Sequence, residues 1–137
     1  DTDRLIEERF GPIPEIFRTQ GEERFRAIER ELASELAALP ALVVATGGGM
    51  LVDSAVADVF IGAGSLVVSL VADVDTIYQR VGGERAGERR PMLAVANPRQ
   101  RIAELVAERE SAYARFPQVR TDTNSSVRIV DEIVALM

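Results

Sequence analysis

Apolar positions return along the chain with two different rhythms. From Glu22 to Leu39, the residues Phe25, Ile28, Leu32, Leu36 and Leu39 recur at steps of three and four, a single stripe on a long helix that Pro40 ends. Thr2 to Phe10 reads as a shorter helix stopping at Gly11, a residue suited to a left-handed C-cap. By contrast, Leu42 to Ala45 is an unbroken apolar run and Leu66 to Ala72 is apolar but for Ser69, and both predict parallel strands covered on both faces. Ser54 to Phe60 forms a short helix between them, and Gly62-Ala63-Gly64-Ser65 reads as a turn.

Asp75 is placed as the cap of a helix running to about Val81, and Asn97 with Pro98 opens another to about Phe116. Val119 to Asp122 is the last strand, and Ser125 or Ser126 caps a terminal helix carrying Val127, Val130, Ile133 and Val134. Gly82 to Arg90 shows neither apolar rhythm nor hydrophobic anchors and is expected to be a mobile surface loop. Strands alternating with crossover helices predict an α/β fold with an open parallel sheet, whose ligands sit at the carboxyl ends of the strands.

Composition narrows the chemistry. A chain of 137 residues, 47% hydrophobic, has one sizeable core and so one domain, 1–137. Its 22 acidic and 16 basic residues give a net charge of −6, which argues against a nucleic-acid or anionic-membrane surface while leaving room for a local basic pocket. With no cysteine and no histidine, thiolate chemistry and imidazole bases are excluded, and proton transfer falls to Asp, Glu or Tyr. No apolar run approaches the roughly 20 residues of a membrane span, and the acidic start does not resemble a signal peptide, so the expected address is cytoplasmic. Every basic side chain is arginine, so no GxxxxGK[ST] phosphate loop occurs in these residues.

Several short stretches carry possible chemistry. Thr46-Gly47-Gly48-Gly49 follows an apolar run, and bare backbone there points amides at an anion or simply makes a strand-to-helix turn. Asp1-Thr2-Asp3 offers two carboxylates, one to hold magnesium through water and one to orient or deprotonate a hydroxyl; acidic capping of a helix is the other reading. Arg26 and Glu29 read as a solvated pair one turn apart. Arg109 shares the inward stripe of Ile102, Leu105, Val106, Ala112 and Tyr113, and needs an anionic partner, internal or bound. Arg85, Arg89 and Arg90 beside Pro91 are either solvated surface or the arginines of a closing lid.

In this order, Asp1-Thr2-Asp3, Phe25-Arg26-x-x-Glu29, Thr46-Gly47-Gly48-Gly49, Arg90-Pro91-Met92-Leu93, Glu108-Arg109 and Asp122-Thr123-Asn124 resemble shikimate kinase from the first residue to the last. The resemblance implies a three-layer P-loop-kinase-like parallel sheet with a lid over about 82–92. It also implies transfer of the γ-phosphoryl of ATP to the 3-hydroxyl of shikimate, in aromatic amino-acid biosynthesis. Asp3 would bind the ring hydroxyls and act as base, Asp1 would position Mg2+ through water, and Arg26 and Arg109 would grip the carboxylate. Gly48, with Gly49, would meet shikimate through backbone amides. Arg90 would reach the ATP phosphates, with Arg85 or Arg89 able to share that role, Arg80 would stack on adenine, and Ser126 would border the same ring. The intact protein is expected to be a monomer.

The family's opening strand, GxxxxGK[ST] loop and helix have no counterpart in these residues. The literal chain is therefore expected to be inactive, with unpaired backbone left beside the Val43 and Val67 strands. A non-catalytic shikimate-kinase-like binding protein, and a related kinase with another acceptor such as gluconate, are the alternative readings.

Overall fold

The computed structural model describes every residue except Arg89. The chain forms two compact units, the first made of Asp1–Ser65 with Arg90 and Pro91, the second of Leu66–Glu88 and Met92–Met137.

The first unit is helical. Helix α1 (Thr2–Phe10) is capped by the Asp1 carboxylate, which accepts from Arg4 N at 3.1 Å, and it ends at Gly11, whose φ of 88° few other residues adopt. Helix α2 (Ile13–Ala37) is two helical pieces joined at Gly21, where φ is 80°; the second piece begins where the apolar stripe starts. Phe25, Ile28, Leu32 and Leu36 are buried along that stripe, whereas Leu39 lies past the helix end and is exposed. Helix α3 (Ser54–Gly62) starts on Asp53, which accepts from Ala55 N, and packs on α2 with Val56, Ala57 and Phe60 buried.

Between α2 and α3 the expected strand at Leu42–Ala45 does not form. The segment has no regular ladder among the described residues, and Val43 is 96% exposed. A β-branched run favours extended backbone, but a strand exists only where a neighbour supplies N–H and C=O groups in register. Here one backbone bond, from Thr2 N to Ala45 O at 2.9 Å, ties the segment to α1.

The second unit holds a two-stranded parallel sheet, β1 (Ser69–Val71) beside β2 (Gln118–Arg120), with Leu70 opposite Val119. β1 is shorter than the Leu66–Ala72 run that predicts it, and β2 begins one residue before the expected Val119 and ends at Arg120. Between them lie α4 (Val74–Arg80) and α5 (Pro98–Tyr113), and α6 (Ser126–Val134) follows. Asp73, not Asp75, caps α4, accepting from Thr76 N at 2.7 Å; Asp75 instead pairs with Arg99. Asn97 caps α5 as its position predicts, and of the two serines expected at the start of α6 it is Ser125 that caps it.

Gly83–Glu88 is a 3-10 helix with a hydrophobic anchor, contrary to the expectation of none. Ala86 is buried with Leu93, Ile102 and Leu105, and Ile77, Tyr78 and Met92 pack around them. A lone alanine in a charged segment is too small to register as an apolar pattern, yet its methyl suffices to fill a place in this core.

Candidate active site

The N-terminus of α1 and the glycine turn are joined through Thr2. Its N–H donates to Ala45 O, and its hydroxyl oxygen accepts from Gly47 N at 3.0 Å. Thr2 is itself 1% exposed. The turn then tightens: Met50 N donates to Gly47 O and Val52 N to Gly49 O, making a short 3-10 helix at Met50–Val52.

Two of the three glycines are bare because of the protein's own side chains. A Cβ built on Gly47 would stand 2.6 Å from Asp3 Oδ1, and one built on Gly49 would stand 2.6 Å from Arg26 Nη1. A methyl group at either position would force the facing side chain to move. Gly48, between them, is exposed. A carboxylate and a guanidinium are thereby seated against one turn of backbone, with amides nearby.

Burial pushes the Asp3 carboxyl above its ordinary value; the Arg90 charge pulls it back, Glu7 pushes it up and Arg26 pulls it down. A carboxylate so placed is a better proton acceptor than an ordinary aspartate. Arg26 is fixed from below. Its Nη1 donates to Glu29 Oε2 at 2.6 Å and its Nη2 to Glu22 Oε1 at 3.0 Å. Its Cζ also lies 5.4 Å from the centroid of the Phe25 ring. Burial opposes the Arg26 charge, but the bonds to Glu29 and Glu22 outweigh it and its pKa is raised.

Glu29 is 3% exposed, so the pair is not the solvated one that its spacing suggests. Spacing on a helix reveals which residues are neighbours, whereas depth depends on what packs over them.

The second unit carries the other predicted residues. Arg109, half-buried on α5, has no carboxylate partner among the described residues; its Nη2 lies 3.9 Å from Met92 Sδ. Arg80 donates from Nη1 to Thr121 Oγ1 at 2.7 Å and from Nη2 to Thr121 O at 2.6 Å, so it holds the end of β2. Asp122 accepts from Asp73 N at 2.9 Å and pairs with Arg120, and it joins the ends of the two strands. Ser126 opens α6, and Arg85 pairs with Glu88. Arg90 is exposed, and Arg89 lies outside the described residues.

Thus Asp3, Arg26, Gly48, Gly49 and the Arg90 charge belong to the first unit, with Asp1 one residue from Thr2. Sequence reasoning misses the parts played by Thr2 and Gly47. A hydroxyl between two carboxylates is the available signal, but threonine is equally common as an ordinary first-turn residue.

The parallel strand pair with its intervening helices places the chain in the α/β class, and the first unit adds a bare-backbone turn with a carboxylate and a guanidinium seated against it. The chain belongs to the shikimate kinase family: the family model described as shikimate kinase matches residues 1–137. Among similar proteins, a shikimate kinase of Thermus thermophilus is 41% identical over 136 residues, covering 98% of this chain and 72% of that protein. The shikimate kinase of Deinococcus radiodurans is 38% identical over 136 residues, with 98% of this chain and 67% of that protein covered. The solved structure of shikimate kinase from Acinetobacter baumannii in complex with shikimate is similar, with a TM-score of 0.87 and 32% identity, over 99% of this chain and 75% of that one. Enzymes of this family use ATP as co-substrate. Among the described residues, no helix is long and apolar enough to cross a membrane.

Proposed function

We propose that the protein carrying these residues is a shikimate kinase that moves the γ-phosphoryl of ATP to the 3-hydroxyl of shikimate. The observation that carries this reading is the seating of Asp3 against Gly47 and of Arg26 against Gly49 on one turn. A hydroxylated carboxylic acid presents both an acidifiable O–H and a fixed negative charge, and this turn offers a base and a cation for them.

In this reading Asp3 accepts the proton of the attacking hydroxyl and hydrogen-bonds the ring hydroxyls. Arg26 meets the acceptor's carboxylate, and Arg109, in the second unit and with the Met92 thioether beside its guanidinium, is a further candidate anion contact. Backbone amides at Gly48 and Gly49 contact the acceptor. Arg90 reaches the phosphates, and Arg80 and Ser126 border the adenine.

Magnesium chemistry fits the residues present. Mg2+ keeps most of its water and is held by only one or two carboxylates, so no three-ligand cluster is needed, and none occurs among the described residues. Asp1 would hold it through water; one Asp1 oxygen caps α1. When bound, the metal would supply charge neutralisation on the phosphates. The net charge of −6 supports a small-molecule partner over nucleic acid, and we place the intact protein in the cytoplasm as a monomer.

The test is phosphorylation of shikimate by the intact protein with Mg2+ and ATP, followed by mass spectrometry of the product, with gluconate as competing acceptor. Shikimate 3-phosphate as the sole product is expected. Binding of shikimate without phosphorylation would favour the non-catalytic alternative, and preferential turnover of gluconate would overturn the acceptor.

A further inference from the structure

We infer that Thr2 is a positioning residue for phosphoryl transfer, fastening the glycine turn to the segment that carries Asp3. The inference deepens the kinase reading above and rests on it for its kinetic readout.

Thr2 stands at the first position of α1, where a backbone N–H has no partner inside the helix. It directs that donor to Ala45 O, at 2.9 Å. Its Oγ1 then receives Gly47 N at 3.0 Å. A donor and an acceptor on one residue thus meet an acceptor and a donor two residues apart on the facing segment. This is the pairing of a β-bridge, with a side chain in place of one carbonyl. The facing segment shows no ladder among the described residues, and this clip holds it in register with α1 beside Asp3.

The register matters because the next residue is Asp3. With Gly47 held to Thr2, the Gly47 Cα faces Asp3 Oδ1 so closely that a Cβ there would lie 2.6 Å away. Slippage by one residue would bring Thr46 or Gly48 to that place, the first setting a side chain against the carboxylate and either one taking the Gly47 amide from Thr2. Thr2 touches neither acceptor nor nucleotide in this scheme and acts through Gly47 and Asp3.

Valine has the shape of threonine without the acceptor, and serine keeps the acceptor without the methyl group. In the intact protein, Thr2→Val and Thr2→Ala should lose about 100-fold in kcat, the scale of a misplaced catalytic group, while the KM for ATP stays near the parent value. Thr2→Ser should retain parent-like turnover. Amide hydrogen exchange at Gly47 should quicken in Thr2→Val and Thr2→Ala but not in Thr2→Ser. A role confined to folding would instead lower Tm in all three and leave the kcat of folded enzyme unchanged.

Turnover by Thr2→Val close to the parent, equal damage in Thr2→Ser, or unaltered exchange at Gly47 would each overturn the inference. If Thr2→Val does not fold, Thr2→Ala, which leaves space for a water on the Gly47 amide, gives the same comparison with Thr2→Ser. Failure of the parent protein to phosphorylate shikimate would sink the kinase reading, while exchange at Gly47 would still decide whether the clip exists.

Discussion

The guanidinium of Arg26 lies flush against Gly49 and is pinned there by the buried carboxylate of Glu29: Nη1 is 2.6 Å from Glu29 Oε2, on the side where a Gly49 Cβ would need to be. The bare position serves the placement of its neighbour's side chain and not its own backbone, since its φ of −103° is open to any residue.

Gly49→Ala should therefore push Arg26 out of place without disturbing the fold. Its expected effect is a rise in KM for shikimate of about 10-fold or more, the scale of a lost charged contact, with a small change in Tm. Steady-state kinetics beside a thermal melt distinguishes this from general destabilisation, which would move Tm first.

Glu29→Ala should do the complementary damage. It removes the buried partner of a side chain that is itself 24% exposed and leaves the Glu22 carboxylate on its Nη2. A loss of about 1–3 kcal/mol in stability is expected, together with weaker shikimate binding. Urea unfolding and calorimetry measure the two, and unchanged values in both would refute the pinning.

Asp3 should show a trade between function and stability. Burial raises its pKa above the ordinary 3.8, so the ionised form is disfavoured in the folded protein. A raised carboxyl contributes stability below its unfolded pKa, and that contribution fades as pH rises through the folded value. Asp3→Asn should consequently abolish turnover yet match or exceed the parent in Tm at neutral pH, with the parent gaining on it as the solution is acidified. The acid limb of kcat/KM in the parent should likewise be displaced upward from that of an ordinary aspartate. Melts and rates across pH would expose a failure if Asp3→Asn were the less stable protein at neutral pH.

Asp122 should behave in the opposite sense. Its pair with Arg120 lowers its pKa well below the ordinary 3.8, with hydrogen bonding from the Asp73 backbone assisting. The stability it contributes is present above the unfolded value and is lost as pH falls toward the folded one. Acidification below about pH 4 should loosen the β1–β2 pairing, and Asp122→Asn should remove that dependence. Amide exchange at Thr121, whose N–H donates to Val71 O at 2.8 Å, reports it directly.

The helices are legible in the sequence because their signals are local. The apolar stripe from Phe25 to Leu36, the Asn97 cap before Pro98 and the Ser125 cap each depend on residues a few positions apart, and the structure places them as those residues predict. The Leu42–Ala45 strand does not form because strand formation is settled by a partner that no local window contains. The cap expected at Asp75 lies two residues earlier because Asp73 offers the same chemistry with a good bond to Thr76. Ala86 escapes sequence reading because a small side chain carries little hydrophobic signal until a core closes over it.

By itself, the amino-acid sequence determined the family, the helical framework and the supply of arginines and carboxylates without histidine, cysteine or lysine, because motif order and residue chemistry survive without coordinates. Tertiary structure alone decided that Gly47 is bare for Asp3 and Gly49 for Arg26, that Glu29 is buried, and that Thr2 holds the turn. Those are matters of which residues, many of them far apart in the chain, come together, and a close approach or a desolvated charge is a property of packing, not of order along the backbone.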